Sequence, residues 1–292
     1  MTSPPGSRGS LCLDAVGLGS NNESGWLAKL QLGFVRSGGR TVLAERRREG
    51  PLAVQRPFYP EGDVCHVYLL HPPGGVVGGD RLNVEVSAGE GASALMTTPG
   101  ATKFYRSAAN PSYQTQDLSV ADKASLEWFP QESILFPGAL THLRTRVNLA
   151  ASARFAGWEI LCLGRPVVGE IFSEGYLDQR FSLHRDGQPL ALERLHICGA
   201  KHLSRATQLR GYCVSATMLV TPVAPGLLNV ARAAVPAQQD HLIGITLIDE
   251  LLIARYLGNG TEQAKARLSA VWSALRPAVF GRTAGLPRIW AT

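Results

Sequence analysis

Apolar and polar residues alternate over much of the first two thirds of the chain. Residues 26–34 place most of their large apolar groups at every second position, and residues 82–86 alternate cleanly. A period of two is that of a β-strand with one buried face. Residues 64–70 form a nearly continuous apolar run that favours a largely buried strand. Further strands are predicted at 41–44, 94–98, 114–120, 125–129, 143–150, 154–163 and 167–172.

A hairpin is predicted near the end of this region. The runs 176–183 and 190–197 flank Arg185, Asp186, Gly187 and Gln188. An Asp-Gly pair between two alternating runs is a strong signal for a tight turn joining antiparallel strands. Many short strands with closely spaced turns predict a mainly β body.

The C-terminal part has a different pattern. Residues 227–235 fit one short helix, and residues 242–257 fit one or two strands. Residues 261–279 form the best helical pattern in the chain, with Thr261 as its predicted N-cap. Its apolar stripe consists of Ala264, Leu268, Val271, Trp272 and Leu275. We expect this stripe to pack in the core rather than to bind a cofactor.

We expect residues 1–24 to be a disordered leader because they are rich in Ser, Gly, Pro and Asn and show no periodicity. Residues 25–292 are then expected to form a single domain. Its β body covers about 25–222, and an α+β part with two helices covers about 223–292.

Bulk composition limits the class of protein. The chain has 292 residues, is 45% hydrophobic and carries a formal net charge of +6. The densest basic cluster, Arg46 to Arg48, is flanked by Glu45 and Glu49. We interpret it as a solvated strand face or turn rather than a nucleic-acid site. No apolar run approaches the length of a membrane span, and no signal peptide is recognisable. A soluble cytoplasmic protein is expected.

The segment 71–80, HPPGGVVGGD, is the most informative in the chain. Two prolines and four glycines precede Asp80. Such a loop allows close approach of a ligand or of another backbone segment. A phosphate-binding loop needs a lysine and a serine or threonine after its last glycine, whereas this loop has a carboxylate that would repel phosphate. Nucleotide binding is therefore not expected.

No constellation for nucleophilic catalysis or structural zinc is visible. The chain has no G-x-S-x-G, H-E-x-x-H or C-x-x-C motif, and its five cysteines and seven histidines are dispersed. Cation handling is harder to dismiss. Glu61, Asp63, His66, His71 and Asp80 fall within twenty residues, and carboxylates and imidazoles suit divalent metals. Solvated turn charges are the simpler interpretation of each residue taken alone.

Seven segments, taken together, resemble the UreD family of urease accessory proteins, called UreH in some species. They occur in the family's order and extend over roughly residues 25–292. The segments are 54–60 (VQRPFYP), 70–80 (LHPPGGVVGGD), 98–106 (TPGATKFYR), 126–132 (LEWFPQE), 164–170 (GRPVVGE), 275–277 (LRP) and 287–292 (PRIWAT).

The resemblance implies a scaffold rather than an enzyme, with no catalytic residues. It implies nickel insertion into apo-urease, together with a UreF-type accessory protein and, through it, a UreG-type GTPase. It implies no nucleic-acid or membrane partner and no tightly bound cofactor, with Ni²⁺ only in transit. The family fold is mostly β, wound into stacked sheets with a few helices. Asp80, Glu170 and Asp63 are the candidates for lining a nickel route.

Two alternatives remain open at this stage. One is an all-β hydrolase acting on carbohydrate, in which Asp80 and Glu170 form a carboxylate pair; such a pair must lie about 5–10 Å apart across an open cleft. The other is an interaction module without a metal role. Asp80 also has a purely structural interpretation, because Asp often terminates glycine-rich turns.

Overall fold

Three layers make up the molecule: two stacked β-sheets and a layer of helices. The computed structural model describes residues 25–235, 240–283 and 285–291. The predicted leader, residues 1–24, lies outside these ranges. Within them, a seven-stranded outer sheet packs on a larger middle sheet, and the two C-terminal α-helices cover the other face of the middle sheet. The mainly β fold with a helical C-terminal part is therefore confirmed.

The described residues contain nineteen strands, most of them short. The first ten are β1 Leu27–Ser37, β2 Arg40–Glu49, β3 Ala53–Val54, β4 Cys65–Leu70, β5 Gly75–Val76, β6 Arg81–Ala88, β7 Ser93–Thr97, β8 Thr102–Phe104, β9 Ser112–Val120 and β10 Ser125–Phe129. The others are β11 Ser133–Leu135, β12 Leu140–Leu149, β13 Arg154–Arg165, β14 Glu170–Ile171, β15 Tyr176–Arg185, β16 Gln188–Cys198, β17 Val214–Thr221, β18 Leu242–Ile248 and β19 Leu251–Gly258.

The chain winds in stacked coils, alternating between the two sheets. Strands β4, β7, β10 and β13 form parallel ladders in the middle sheet, while β6, β9, β12 and β15 do so in the outer sheet. The short strands β5, β8 and β11 pair in parallel at the corner between them. Each coil thus adds one strand to each sheet, giving a solenoid-like stack.

The alternation seen in the sequence is the inside–outside alternation of the outer sheet. In β12, Thr141, Leu143, Thr145 and Val147 are buried and face the middle sheet, whereas the residues between them face outward. The middle sheet is covered on both sides, and this explains why β4 and β10 are buried at nearly every position, including His66 and Glu127.

The helices are α1 Gly199–Ser204, α2 Leu227–Ala233 and α3 Thr261–Phe280, with 3₁₀ turns at Pro166–Val168 and Arg288–Ala291. The predicted stripe of α3 is buried against the middle sheet, as expected. The N-cap, however, is Gly260 and not Thr261, so that detail of the prediction is wrong. In the parts of the chain that the structure describes, none of the helices combines the length and the apolar character that crossing a bilayer requires.

The predicted hairpin is β15–β16, joined by Asp186 and Gly187, both with positive φ. That geometry matches the twist of the paired strands. The strand predicted at 167–172 is wrong for the most part. A 3₁₀ turn occupies Pro166–Val168, and only the two residues of β14 pair with β13.

The glycines of the 71–80 loop permit close packing against neighbouring chain segments. A Cβ at Gly75 would lie 2.1 Å from the Tyr105 ring, and one at Gly78 would lie 2.2 Å from Ser107 Oγ. The loop also contains β5, which pairs with β8. Gly75 and Gly78 therefore accommodate protein atoms.

Candidate functional site

Asp80 is a buried acceptor for backbone N–H groups. Its side chain is part of a residue only 6% exposed. The carboxylate accepts hydrogen bonds from the backbone N–H of Trp26 at 2.9 Å and of Val77 at 3.0 Å. It therefore fastens the beginning of the outer sheet's β1 to the glycine loop. This is the structural role that the sequence left open for Asp80.

Asp63 is held by two arginines. Arg282, just after α3, donates to both of its oxygens at 2.6 and 2.7 Å, and Arg36 donates at 3.0 Å. The pKa of Asp63 is lowered to about 2, mainly because Arg282 donates hydrogen bonds to it. The carboxylate is therefore charged and compensated.

Glu170 forms a two-pronged ion pair with Arg165 across the β13–β14 ladder. Arg165 Nε lies 2.8 Å from Glu170 Oε2, and Arg165 Nη2 contacts the other oxygen. Hydrogen bonding to Arg165 lowers the pKa of Glu170. The Arg165 guanidinium also lies 4.8 Å from the centre of the Phe136 ring.

Each of the three predicted nickel-route carboxylates thus has protein partners of its own. Within the described residues, no group of three or more His, Cys, Asp and Glu side chains could hold a metal ion together. A place for Asp80, Glu170 and Asp63 on a nickel route stays a prediction. The hydrolase geometry is not met, since Asp80 is buried against backbone and Glu170 is paired with arginine rather than facing it across a cleft.

Two other acidic residues form a buried network with α3. Arg276, which is fully buried, donates to Glu127 at 2.8 and 2.9 Å and to Glu61 at 2.9 Å. Trp272 Nε1 donates to Glu127 at 2.7 Å, and His66 Nε2 lies 2.8 Å from Glu61. Glu61 and His66, two of the residues predicted to bind cations, therefore belong to the hydrogen-bonded network that attaches α3 to the middle sheet.

The space between the sheets contains two cavities that meet at one carboxylate. The smaller, of about 240 Å³, is lined by His71 and Gly74 of the glycine loop as well as by Glu159. The larger, of about 820 Å³, is lined by Glu159, Glu193 and His196 among others. Glu159 and Leu161, both on β13, border both cavities.

Glu159 lies in a small polar group between the sheets. It points from the middle sheet to the outer sheet, where Thr145 and Gln179 donate hydrogen bonds to its two oxygens. Thr145 Oγ1 also lies 3.0 Å from Gln116 Oε1. Burial raises the pKa of the Glu159 carboxyl. A carboxylate in such a place is able to exchange a proton for a cation.

Two histidines are among the residues that border these cavities, although the ring of His196 packs against Tyr176 on the outward face of the outer sheet. Burial lowers the pKa of His71, against the opposing effect of Asp80, and burial also lowers the pKa of His196. Both rings are therefore neutral near pH 7 and able to ligate a metal. Sequence reasoning assigned no role to Glu159 or His196. The available signal for Glu159 was a lone acidic residue inside the apolar run 154–163.

Comparison with known proteins places the chain in a family. The family model described as UreD urease accessory protein matches residues 27–291. A urease accessory protein UreD from Alcanivorax borkumensis is 47% identical over 278 residues, covering 94% of this chain and 95% of that protein. The UreD proteins of Citrobacter koseri and Klebsiella aerogenes are 46% and 45% identical and cover 92% of this chain, and 92% and 98% of their own lengths. The chain therefore belongs to the UreD family of urease accessory proteins.

Proposed function

We propose that this protein is a cytoplasmic, non-enzymatic scaffold through which Ni²⁺ passes into apo-urease. Membership of a urease accessory family supports a role in urease maturation. The observation that carries the nickel part of the proposal is that two cavities between the sheets meet at Glu159.

The groups that border the cavities suit the cargo. Imidazole is a good ligand for nickel, and carboxylate oxygens bind divalent cations. His71 and Glu159 supply these groups in the smaller cavity and at the junction between the two cavities. In this proposal Ni²⁺ exchanges with the proton that burial favours on Glu159, so that the ion is bound weakly and released onward.

The three carboxylates predicted from sequence take subsidiary roles in this proposal. Asp80 acts indirectly, by holding the loop that bears His71. Asp63 and Glu170 receive nickel only on parting from Arg282 and Arg165. We further propose that the scaffold assembles with a UreF-type protein, with a UreG-type GTPase through it, and with apo-urease.

The proposal is tested in a urease-positive strain from which this gene alone is deleted. With nickel supplied, we expect urease subunits that accumulate without metal and without activity, and recovery when the wild-type gene returns. Glu159→Gln should lower the activity and the nickel content of urease about tenfold, which is the usual scale for mutation of a residue that supports metal binding. Glu262→Gln, an exposed change in the first turn of α3, is the matched control.

Each variant is also used in a pull-down of the UreF-type protein, the UreG-type GTPase and urease. The pull-down distinguishes loss of complex assembly from loss of nickel transfer. Full urease activity in the deletion strain would overturn the maturation role. Normal activity of Glu159→Gln, with normal assembly, would overturn the route past Glu159 and leave an interaction scaffold. Failure of the wild-type protein to capture these partners would overturn the assembly.

A further inference from the structure

The outward face of the outer sheet carries a row of arginines on three neighbouring strands. Arg144 of β12 is in register with Arg180 of β15, and Arg180 is in register with Arg194 of β16. All three side chains are exposed. Since neighbouring strands lie about 4.8 Å apart, three guanidinium groups occupy a strip roughly 10 Å wide. We call these three residues the arginine row.

The arginine row is only partly compensated by acidic groups. Asp178 accepts hydrogen bonds from Arg194 at 2.7 Å and from Arg180 at 3.1 Å. Arg144 makes no ion pair with any residue that the structure describes. Like charges facing each other across strands destabilise a sheet, so folding alone does not account for this arrangement.

A shallow depression adjoins the arginine row. It measures about 360 Å³ and is bordered by the three arginines, by Arg146 and by Leu192. Leu192 of β16 is 69% exposed, which is unusual for a large apolar side chain next to a charged strip. Arg146 is already paired with Asp117. The depression thus offers an apolar contact beside an excess of positive charge.

We propose that the arginine row and Leu192 bind an acidic segment of a partner protein. Carboxylates fit planar guanidinium groups through paired hydrogen bonds, and the excess positive charge at Arg144 provides the electrostatic complement. An apolar side chain of the same segment covers Leu192. Residues three or four apart on a helix lie about 5–6 Å from one another, which matches the spacing of the row.

The acidic groups on this face favour a protein segment over a nucleic acid. Asp117 and Asp178 lie next to or among the arginines. A phosphate backbone carries closely spaced negative charges and would meet these carboxylates, whereas a protein segment places its charges at discrete positions. The proposal concerns this outer face and does not depend on a nickel route.

The test uses the full-length protein and a fluorescein-labelled twelve-residue peptide with glutamates at helical i, i+4 spacing and one leucine. Fluorescence anisotropy is measured at low and at high salt. We expect saturable binding that weakens with salt, and a loss of at least about fivefold in affinity for Arg144→Glu, the scale of one ion pair of about 1 kcal/mol. Arg144 has no ion pair to lose, so this variant should fold.

The matched control is Arg47→Glu, which makes the same charge change at an exposed position on β2, at the far edge of the same sheet. It should leave the affinity within about twofold. Three outcomes would overturn the proposal: no saturable binding of the peptide to the wild type, equal losses for Arg47→Glu and Arg144→Glu, or tighter binding of a single-stranded DNA oligonucleotide than of the peptide. Equal binding of a peptide with glutamine in place of glutamate would also overturn it.

Discussion

At the scale of single residues, Asp80 illustrates how a polar side chain serves the backbone. It follows four glycines, and such a position suits a carboxylate facing a ligand as well as one closing a turn. The structure directs both of its oxygens to backbone N–H groups, one of them on Trp26. That partner lies 54 positions away in sequence, so the turn alone does not account for the contact.

Asp80→Ala should therefore destabilise the fold. Two N–H groups lose their acceptor in a buried place, which costs about 2 kcal/mol or more in the free energy of unfolding. Urea denaturation of the purified protein measures this cost. Glu85→Ala, an exposed change on β6, is the control. If Asp80→Ala instead has the same unfolding free energy as the wild type but no longer supports urease activation, the result would indicate that the carboxylate contacts the cargo.

The position of Glu159 between two cavities could not be predicted from the residues around it in the sequence. Its neighbours in sequence predict a buried strand, and the structure confirms that strand as β13. The two cavities that give Glu159 its interest are formed by Thr145, Gln179 and other residues from separate coils. No local pattern reports how far apart two strands will lie.

At the scale of elements, α3 is attached to the middle sheet by packing and by a buried ion pair. Its apolar stripe was predictable from helical periodicity. Arg276 belongs to the same buried face, although an arginine normally marks the solvent side of a helix. It is accommodated because Glu127 of β10 lies 149 positions earlier in the chain yet directly beneath it.

Glu127→Gln should loosen this attachment. The change leaves the Arg276 guanidinium buried with only Glu61 as a charged partner, and breaking a buried pair in this way typically costs about 3 kcal/mol. The free energy of unfolding, measured in urea, gives the value. Glu262→Gln on the exposed side of the same helix should change it by less than about 0.5 kcal/mol. A cost for Glu127→Gln no larger than for this control would contradict the role of the pair.

At the scale of the whole molecule, the same network makes stability depend on pH. Burial alone would raise the pKa of Glu61, but hydrogen bonds from His66 and Arg276 hold it at about 2, compared with 4.5 for an unperturbed glutamate. Because the folded-state pKa is the lower one, this contribution is fully present above about pH 4.5. It is lost as the pH falls towards 2.

Wild-type protein should lose about 3 kcal/mol more unfolding free energy between pH 5 and pH 2 than the Glu61→Gln variant, which has no carboxyl to titrate there. Urea denaturation at a series of pH values measures both curves. Glu90→Gln, at an exposed surface pair with Lys123, should follow the wild-type curve. Parallel curves for wild type and Glu61→Gln would show that Glu61 is not held in its charged form.

The sequence by itself determined the elements with strong local signals. A period of two predicts the strands of the outer sheet, Asp186 and Gly187 predict the β15–β16 turn, and the apolar stripe predicts α3. The glycine loop without a lysine also argues against phosphate binding. These conclusions hold because hydrophobic periodicity and turn chemistry act over a few residues.

Only the tertiary structure decided which charges are compensated and which surfaces remain open. Asp63 meets Arg282 across 219 positions, and Glu127 meets Arg276 across 149. The stacking of coils also places Arg144, Arg180 and Arg194 side by side and leaves cavities that meet at Glu159. Register between coils fixes all of these contacts, and it depends on packing between distant segments that no short stretch of sequence encodes.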